Sequence, residues 1–121
     1  MNFEQSPEFK KDLKRLSKKW RSLPDDISAA QLLIADVYTD SDGQELFQQK
    51  FFNNKRATKL VISESLEVVK MRLDVHSLGV SDKARIVFVL VKTSVSIVFV
   101  ELYAKNEKTR EDPKRYKPFL G

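Results

Sequence analysis

Hydrophobic positions recur at a helical period in the first third of the chain and at a strand period in its second half. Phe9, Leu13, Leu16 and Trp20 follow the spacing of one helix face, and Lys10, Lys11, Lys14, Arg15, Lys18 and Lys19 fill most of the remainder. Ser6-Pro7-Glu8 reads as the start of that helix. A serine oxygen can accept from an orphan amide, the proline is already at a helical φ, and the carboxylate faces the positive helix end. A second stripe, Ile27, Ala30, Leu33, Ile34 and Val37, begins after Pro24, Asp25 and Asp26 and runs to about Thr39. The short break at residues 21–23 makes the two helices a hairpin. Asp40-Ser41-Asp42-Gly43 closes it. Its aspartates suit a calcium loop, but the full ligand pattern is absent and a turn is expected. Residues 44–52 predict a further short helix with Phe47, Phe51 and Phe52 as its apolar contacts, and residues 53–56 a loop. Residues 57–65 have no readable period.

From Leu66 the period becomes two and β-branched residues dominate. Val69, Met71, Leu73 and Val75 fall on one strand face, and Lys70, Arg72 and Asp74 on the other. After a loop at 76–82, residues 84–91 form a nearly continuous apolar run, expected to be a central strand covered on both faces. Thr93-Ser94 suits a reversal into a strand over 95–104, antiparallel to it. In that last strand, strict alternation puts Glu101, Tyr103 and Lys105 on one side and Val98, Val100 and Leu102 on the other. Pro113 can open a short C-terminal helix carrying Lys114, Arg115 and Tyr116, docked by Phe119 and Leu120. The expected architecture is α+β, a helical hairpin packed on a small antiparallel sheet with a short C-terminal helix.

At 121 residues the chain is the length of one domain, expected to span 1–121. The longest apolar run, six residues from Ile86 to Val91, is far short of the roughly twenty of a membrane-spanning helix. Met1-Asn2-Phe3-Glu4 lacks the basic start and apolar stretch of a secretory signal, so a cytoplasmic protein is expected. With no cysteine, thiolate metal sites and a cysteine nucleophile are excluded, and one histidine, His76, argues against a His-rich metal site or a Ser-His-Asp triad. Neither GxGxxG nor the Walker pattern occurs. No cofactor or metal is expected.

Charge is what remains. The net value is +5, but it is segmented: residues 1–21 are net +4, residues 22–49 carry six acidic groups and no basic one, and residues 50–121 are net +7. A basic C-terminal two thirds suits a polyanion, and a solvated lysine-rich surface is the plainer alternative. The acidic stretch can meet cationic side chains of a partner or balance the first helix within the hairpin, and the second is preferred.

The clearest constellation is Lys70 and Arg72 on one strand face, Arg85 at the start of the next strand, and Tyr103 and Lys105 at the end of another. Cations gathered there can grip a phosphate backbone and stabilise a pentacoordinate phosphoryl transition state. In outline that suffices for metal-free RNA cleavage. The 2′-hydroxyl attacks the adjacent phosphorus, a base takes its proton, and an acid protonates the leaving oxygen. Each residue also has a structural reading. Lys70 and Arg72 suit the solvent side of an edge strand, Arg85 can pair with Asp74 or Glu101, the tyrosines can be packing aromatics, Glu101 can balance nearby cations, and His76 suits an incidental loop position.

In order, the hairpin, Val69-Lys70-Met71-Arg72, Lys83-Ala84-Arg85-Ile86-Val87-Phe88, and the run from Val98-Phe99-Val100-Glu101-Leu102-Tyr103-Ala104-Lys105 to Lys108 resemble the RelE/ParE superfamily of bacterial type II toxins. The opening Phe3-Glu4-Gln5-Ser6-Pro7-Glu8-Phe9 resembles the start of those toxins too, a first strand running into the hairpin. The resemblance implies a RelE-like fold and a cognate antitoxin partner that wraps the toxin. It also implies one of two activities: metal-independent cleavage of mRNA on the ribosome, or ParE-like poisoning of DNA gyrase. A catalytically degenerate RNA-binding module is a further reading.

In the cleaving branch the resemblance assigns Arg72 and Arg85 to catalysis, and Lys70 to the RNA phosphates. Cleaving members usually carry an arginine just after the last strand's lysine, where this chain has Asn106, and a tyrosine in the following segment, which here comes late, as Tyr116. Lys105 and Tyr116 complete the expected catalytic set, and Lys108 and Arg110 the phosphate-binding set. The expected partners are an antitoxin with an acidic segment, the ribosome and mRNA, with no membrane and no small-molecule cofactor.

Overall fold

A computed structural model describes residues 1–39, 52, 56–78 and 80–120, without the side chains of residues 39, 78 and 80–83. The expected turn at Asp40 to Gly43, nearly all of the expected helix at 44–52 and most of the loop after it lie outside the described residues. The chain runs β1 (Asn2–Gln5), α1 (Pro7–Ser17), α2 (Leu23–Thr39), β2 (Ala57–Ile62), β3 (Leu66–Val75), β4 (Val80–Val91) and β5 (Ser96–Ala104). Short 3-10 turns follow β3, at His76–Leu78, and close the chain, at Pro113–Arg115 and Lys117–Phe119. Among the described residues, no helix is long and apolar enough to cross a membrane.

The expected helix start is built as read: Ser6 Oγ accepts from the Phe9 amide at 3.1 Å, and Pro7 opens α1. The five strands form one sheet in the order β1-β5-β4-β3-β2. The three expected strands, β3, β4 and β5, pair antiparallel, β2 adds a fourth antiparallel strand, and β1 adds a parallel pair with β5, Asn2 to Gln5 against Ser96 to Phe99. The segment without a readable period holds β2, an edge strand whose register shifts between Lys59 and Val61. That shift breaks the alternation by which a strand is recognised. β4 begins at Val80, so the loop before it is shorter than the apolar run suggested. Val95, at φ 50°, takes the left-handed turn into β5, a strained position for a β-branched residue.

β4 is central and buried on both faces. Toward the hairpin, Phe9, Leu16, Trp20, Leu23, Ile27, Ile34 and Val37 meet Met71, Leu73, Ile86, Phe88, Ile97 and Phe99. Phe99 joins three elements, stacking on Phe9 at 5.3 Å and Phe3 at 6.0 Å and meeting Phe88 edge-on at 6.2 Å. Each such pair adds about 0.5–1.5 kcal/mol to plain burial. On the other face Leu66, Val68, Val87, Val89, Val98, Val100 and Tyr103 form a second cluster, against which Tyr116 and Phe119 pack. The expected short C-terminal helix is thus a pair of 3-10 turns holding that segment on the sheet, the first capped by Asp112 at 3.0 Å from the Lys114 amide.

One expectation for β5 fails. Phe88 pairs with Phe99 but Val87 pairs with Glu101, which leaves Val100 as an extra residue. Such a bulge shifts the alternation by one. Glu101 and Tyr103 therefore share the outer face with Val98 and Val100, and Leu102 joins the core under the hairpin.

Asp12, buried in the middle of α1, serves the bulge. Its carboxylate accepts from the Leu102 amide at 3.0 Å and from Arg115 Nη1 and Nη2 at 3.0 and 3.2 Å, while Arg115 Nη1 also donates to the Val100 carbonyl at 2.9 Å. These bonds satisfy β5 backbone groups just past the register of β1.

At the other end of the sheet, Asp26 of α2 holds the turn after β3. Its carboxylate accepts from Ser22 Oγ at 2.7 Å and meets His76 Nδ1 at 2.5 Å, and Ser22 Oγ accepts from the Ser77 amide at 2.8 Å. The His76 side chain is exposed but tethered, which differs from the incidental position expected.

Asp12→Ala should lower the unfolding free energy by about 2–4 kcal/mol in a urea titration, because it strands a partly buried guanidinium and an amide. A loss within the few tenths typical of surface changes would deny Asp12 this role. The hydrogen bond and charge of Asp26 raise the His76 pKa above its usual 6.5. The pair's contribution is therefore complete below 6.5 and fades as pH climbs through the folded value. NMR titration of this sole histidine should show the raised pKa and its fall toward 6.5 in Asp26→Asn; identical titrations would deny the pairing.

Candidate nucleic-acid interface

The outer face of the sheet carries the sequence-proposed cations. In β3 regular alternation turns Lys70, Arg72 and Asp74 away from the hairpin while Val69, Met71, Leu73 and Val75 are buried beneath it. The register then fixes two rows across three strands. Lys70 stands opposite Val87, which stands opposite Glu101; Arg72 stands opposite Arg85, which stands opposite Tyr103. Side chains directly across a strand pair lie about 5 Å apart at Cβ, so the two guanidinium stems start as immediate neighbours. Like charges so placed repel, and an anion set between them relieves the repulsion. Both arginines are half-buried, and Arg85 Nη1 donates to its neighbour's carbonyl, Ala84 O, at 3.1 Å.

The C-terminal segment folds back over the outer face and brings acid with it. Lys70 Nζ lies 2.9 Å from Glu111 Oε2, and Lys108 Nζ binds the buried Glu101 carboxylate, whose other oxygen accepts from the Asp112 amide at 2.9 Å. Lys108 Nζ also sits 5.1 Å from the Tyr103 ring centroid. Asp74 is partnered by Arg56 at 3.4 Å, and Glu101 by Lys108.

Burial pushes the Glu111 carboxyl up, but the hydrogen bond from Lys70, its own backbone amide and the charges of Lys70 and Arg110 outweigh that and hold it below its ordinary 4.5. Tyr103 is buried, and burial followed by the charges of Glu111 and Glu101 pushes its phenol up to about 12, against the opposing pull of Arg85. At neutral pH that phenol is a hydrogen-bond donor and a poor base.

Of the remaining proposed residues, Lys105 and Arg110 are exposed in the segment after β5, and Tyr116 is half-buried against the outer apolar cluster, as a packing aromatic would be. Lys70, Arg72 and Arg85 are brought together, with Lys108 folded onto the same face beside Glu101 and Tyr103. A cleft of about 70 Å³ between α2 and β3, lined by Asp26, Ala30, Leu33, Met71 and His76, includes none of the proposed residues. Sequence reasoning missed Asp12, Glu111 and the bulge, and named Arg115 only as a residue of the expected C-terminal helix. Their partners lie far along the chain, 103 residues apart for Asp12 and Arg115, and no local pattern carries such a pairing.

No protein-family model matches the chain, and no curated protein does. Among solved structures, the crystal structure of an archaeal RelE–RelB complex from Pyrococcus horikoshii matches 88% of this chain and 97% of its own, with a TM-score of 0.52 at 13% identity. This chain has the RelE fold. At that identity the likeness is one of fold; among the described residues of this chain, α1 and α2 lie against one face of the five-stranded sheet. On this RelE fold the described outer face is a cationic strand surface roofed at one end by its own C-terminal segment.

Because the Glu111 carboxyl is held low, the contribution of its pair with Lys70 is complete above 4.5 and is lost as pH falls through the lowered value. Glu111→Gln should therefore be less stable than wild type at neutral pH, with the gap in urea midpoints closing as pH drops below 4.5. A gap that persists unchanged down to about pH 3 would mean that the carboxylate charge contributes nothing.

Proposed function

We propose that this protein is the toxin of a type II toxin–antitoxin pair and that it cleaves mRNA on the ribosome without a metal, inhibiting translation. The observation that carries the reading is the shared face of Lys70, Arg72 and Arg85 on adjacent strands. Lys70 and the paired guanidiniums hold the phosphates flanking the scissile bond. Arg72 and Arg85 stabilise the charge that builds on the phosphoryl oxygens as the 2′-hydroxyl attacks. Lys105, Lys108 and Arg110 follow the strand that ends beside this face and supply further cations to the message or the leaving oxygen. Tyr103, with its phenol held protonated, joins them as a donor, and Tyr116 supports the roof of the site rather than the reacting atoms. The RelE–RelB complex, whose RelE shares this fold, supports a small antitoxin partner. An acidic segment of that partner suits the cationic face.

The two carboxylates on this face favour a second reading, a module that binds RNA without cutting it. Glu111 and Glu101 already neutralise Lys70 and Lys108, and Asn106 stands where cleaving toxins usually carry arginine.

The test is to induce the gene alone and with its small neighbour, and to map message ends on ribosomes. Translation should stop, new ends should appear within ribosome-bound message, and the neighbour should reverse both. Folded Arg72→Ala/Arg85→Ala protein should lose cleavage by about a hundredfold or more. Growth arrest undiminished in that variant would sink the assignment of the site. RNA binding with no new ends would favour the second reading, and DNA damage with intact message would favour gyrase as the target.

A further inference from the structure

We propose that the solvent face of α1, with the turn that follows it, is a second polyanion surface that lies on the phosphate backbone of double-helical RNA, on the side of the sheet opposite Lys70, Arg72 and Arg85. Lys10, Lys11, Lys14, Lys18, Lys19 and Arg21 are all exposed. Arg15 is matched to Glu107 at 2.7 Å, but among the described residues none of those six is paired with a carboxylate. The outer face differs, because there Lys70 and Lys108 each carry a buried acid. Lys10, Lys14 and Lys18 recur every four residues and form a row along the helix, each step rising about 6 Å. Like charges at that spacing weaken an isolated helix, so helix stability does not account for the row.

The chemistry of the surface selects its occupant. A membrane-surface helix needs a free apolar face, and the apolar face of α1, Phe9, Leu16 and Trp20, is buried against the sheet at 0–4% exposure. Single-stranded nucleic acid is gripped by stacking its bases on aromatic side chains, and the only aromatic groups of this helix and turn, Phe9 and Trp20, are among those buried. What is left is an uninterrupted row of flexible cations, suited to a backbone whose bases are already paired. The choice of RNA as the duplex rests on the ribosome-directed reading above; the cationic row does not.

Fluorescence anisotropy with an RNA duplex of about 20 base pairs, titrated over a range of salt, tests the proposal. Compared with wild type, K10A/K14A/K18A should bind about tenfold or more weakly, and the slope of log affinity against log salt should fall by about 2 to 3. Alanine keeps the exposed helix, which circular dichroism would verify. Lys114→Ala/Lys117→Ala protein, which loses two exposed lysines of the C-terminal turns, should keep its duplex affinity within about threefold. Duplex binding by the triple variant with wild-type affinity and slope would overturn the proposal, whether or not message is cut. Equal or tighter binding to phosphatidylserine vesicles or polyglutamate than to the duplex would overturn RNA as the occupant. Loss of cleavage in the Arg72/Arg85 variant is read separately, so either proposal can fail while the other stands.

Discussion

The buried carboxylate of Asp12 joins the three parts of the molecule that have to agree. It sits on α1, takes the Leu102 amide of β5 and receives the guanidinium of Arg115 from the C-terminal segment. A buried carboxylate is costly unless its oxygens are fully engaged, and here the engagement is what closes the structure. The register of β1 ends at Phe99, and beyond it Asp12 and Arg115 are the side chains that receive the Leu102 amide and the Val100 carbonyl of the bulged strand. Without a bulge, Glu101 and Tyr103 would point into the apolar core beneath the hairpin.

The composition of the outer face follows from that bulge. Because Glu101 is turned outward and then buried under the C-terminal segment, it needs a cation, and Lys108 supplies it. Because the same segment must cross the sheet to cover Val87, Val98 and Val100 with Tyr116 and Phe119, it carries Glu111 to Lys70. The cationic face and its neutralising acids are therefore consequences of a single requirement, that a central strand be covered on both sides. Arg72 and Arg85 lie in the next row along the strands and face each other across β3 and β4.

Features that depend on regular local repetition were legible in the sequence. The stripe of α1, its Ser6-Pro7 start, the alternation in β3 and the apolar run of β4 each repeat a rule over several residues, and each stands where the pattern put it. Features made by one extra residue or by distant partners were not. The shifts in β2 and β5 each break a period of two with a single residue, so β2 had no readable period and Val98 and Val100 of β5 were grouped with Leu102 instead of with Glu101 and Tyr103. Asp12 looked like one acid among lysines, and His76 like a lone loop residue, because their meaning lies in Arg115 and Asp26. The parallel placement of β1 beside β5 is likewise a matter of topology, which no four-residue strand can announce.

Burial explains why the two cationic surfaces differ. A cation on the solvent side of α1 or the turn after it stays hydrated and needs no counterion in the fold, so five lysines and Arg21 stand together for the cost of mutual repulsion alone, and salt screens that repulsion within about 10 Å. An amine or guanidinium rooted in the middle of a sheet loses part of its water, and a protein acid has to make good that loss. Lys70 meets that condition with Glu111, and the buried Glu101 draws in Lys108 from the segment after β5, at the expense of charge that a phosphate would otherwise find waiting. Any anion arriving at the row of Lys70 must exchange with a carboxylate, whereas one arriving at α1 displaces only water and counterions. The helix face is therefore the part of the molecule whose attraction reaches furthest and depends most on salt, and the sheet face the part whose attraction is short-ranged and governed by geometry.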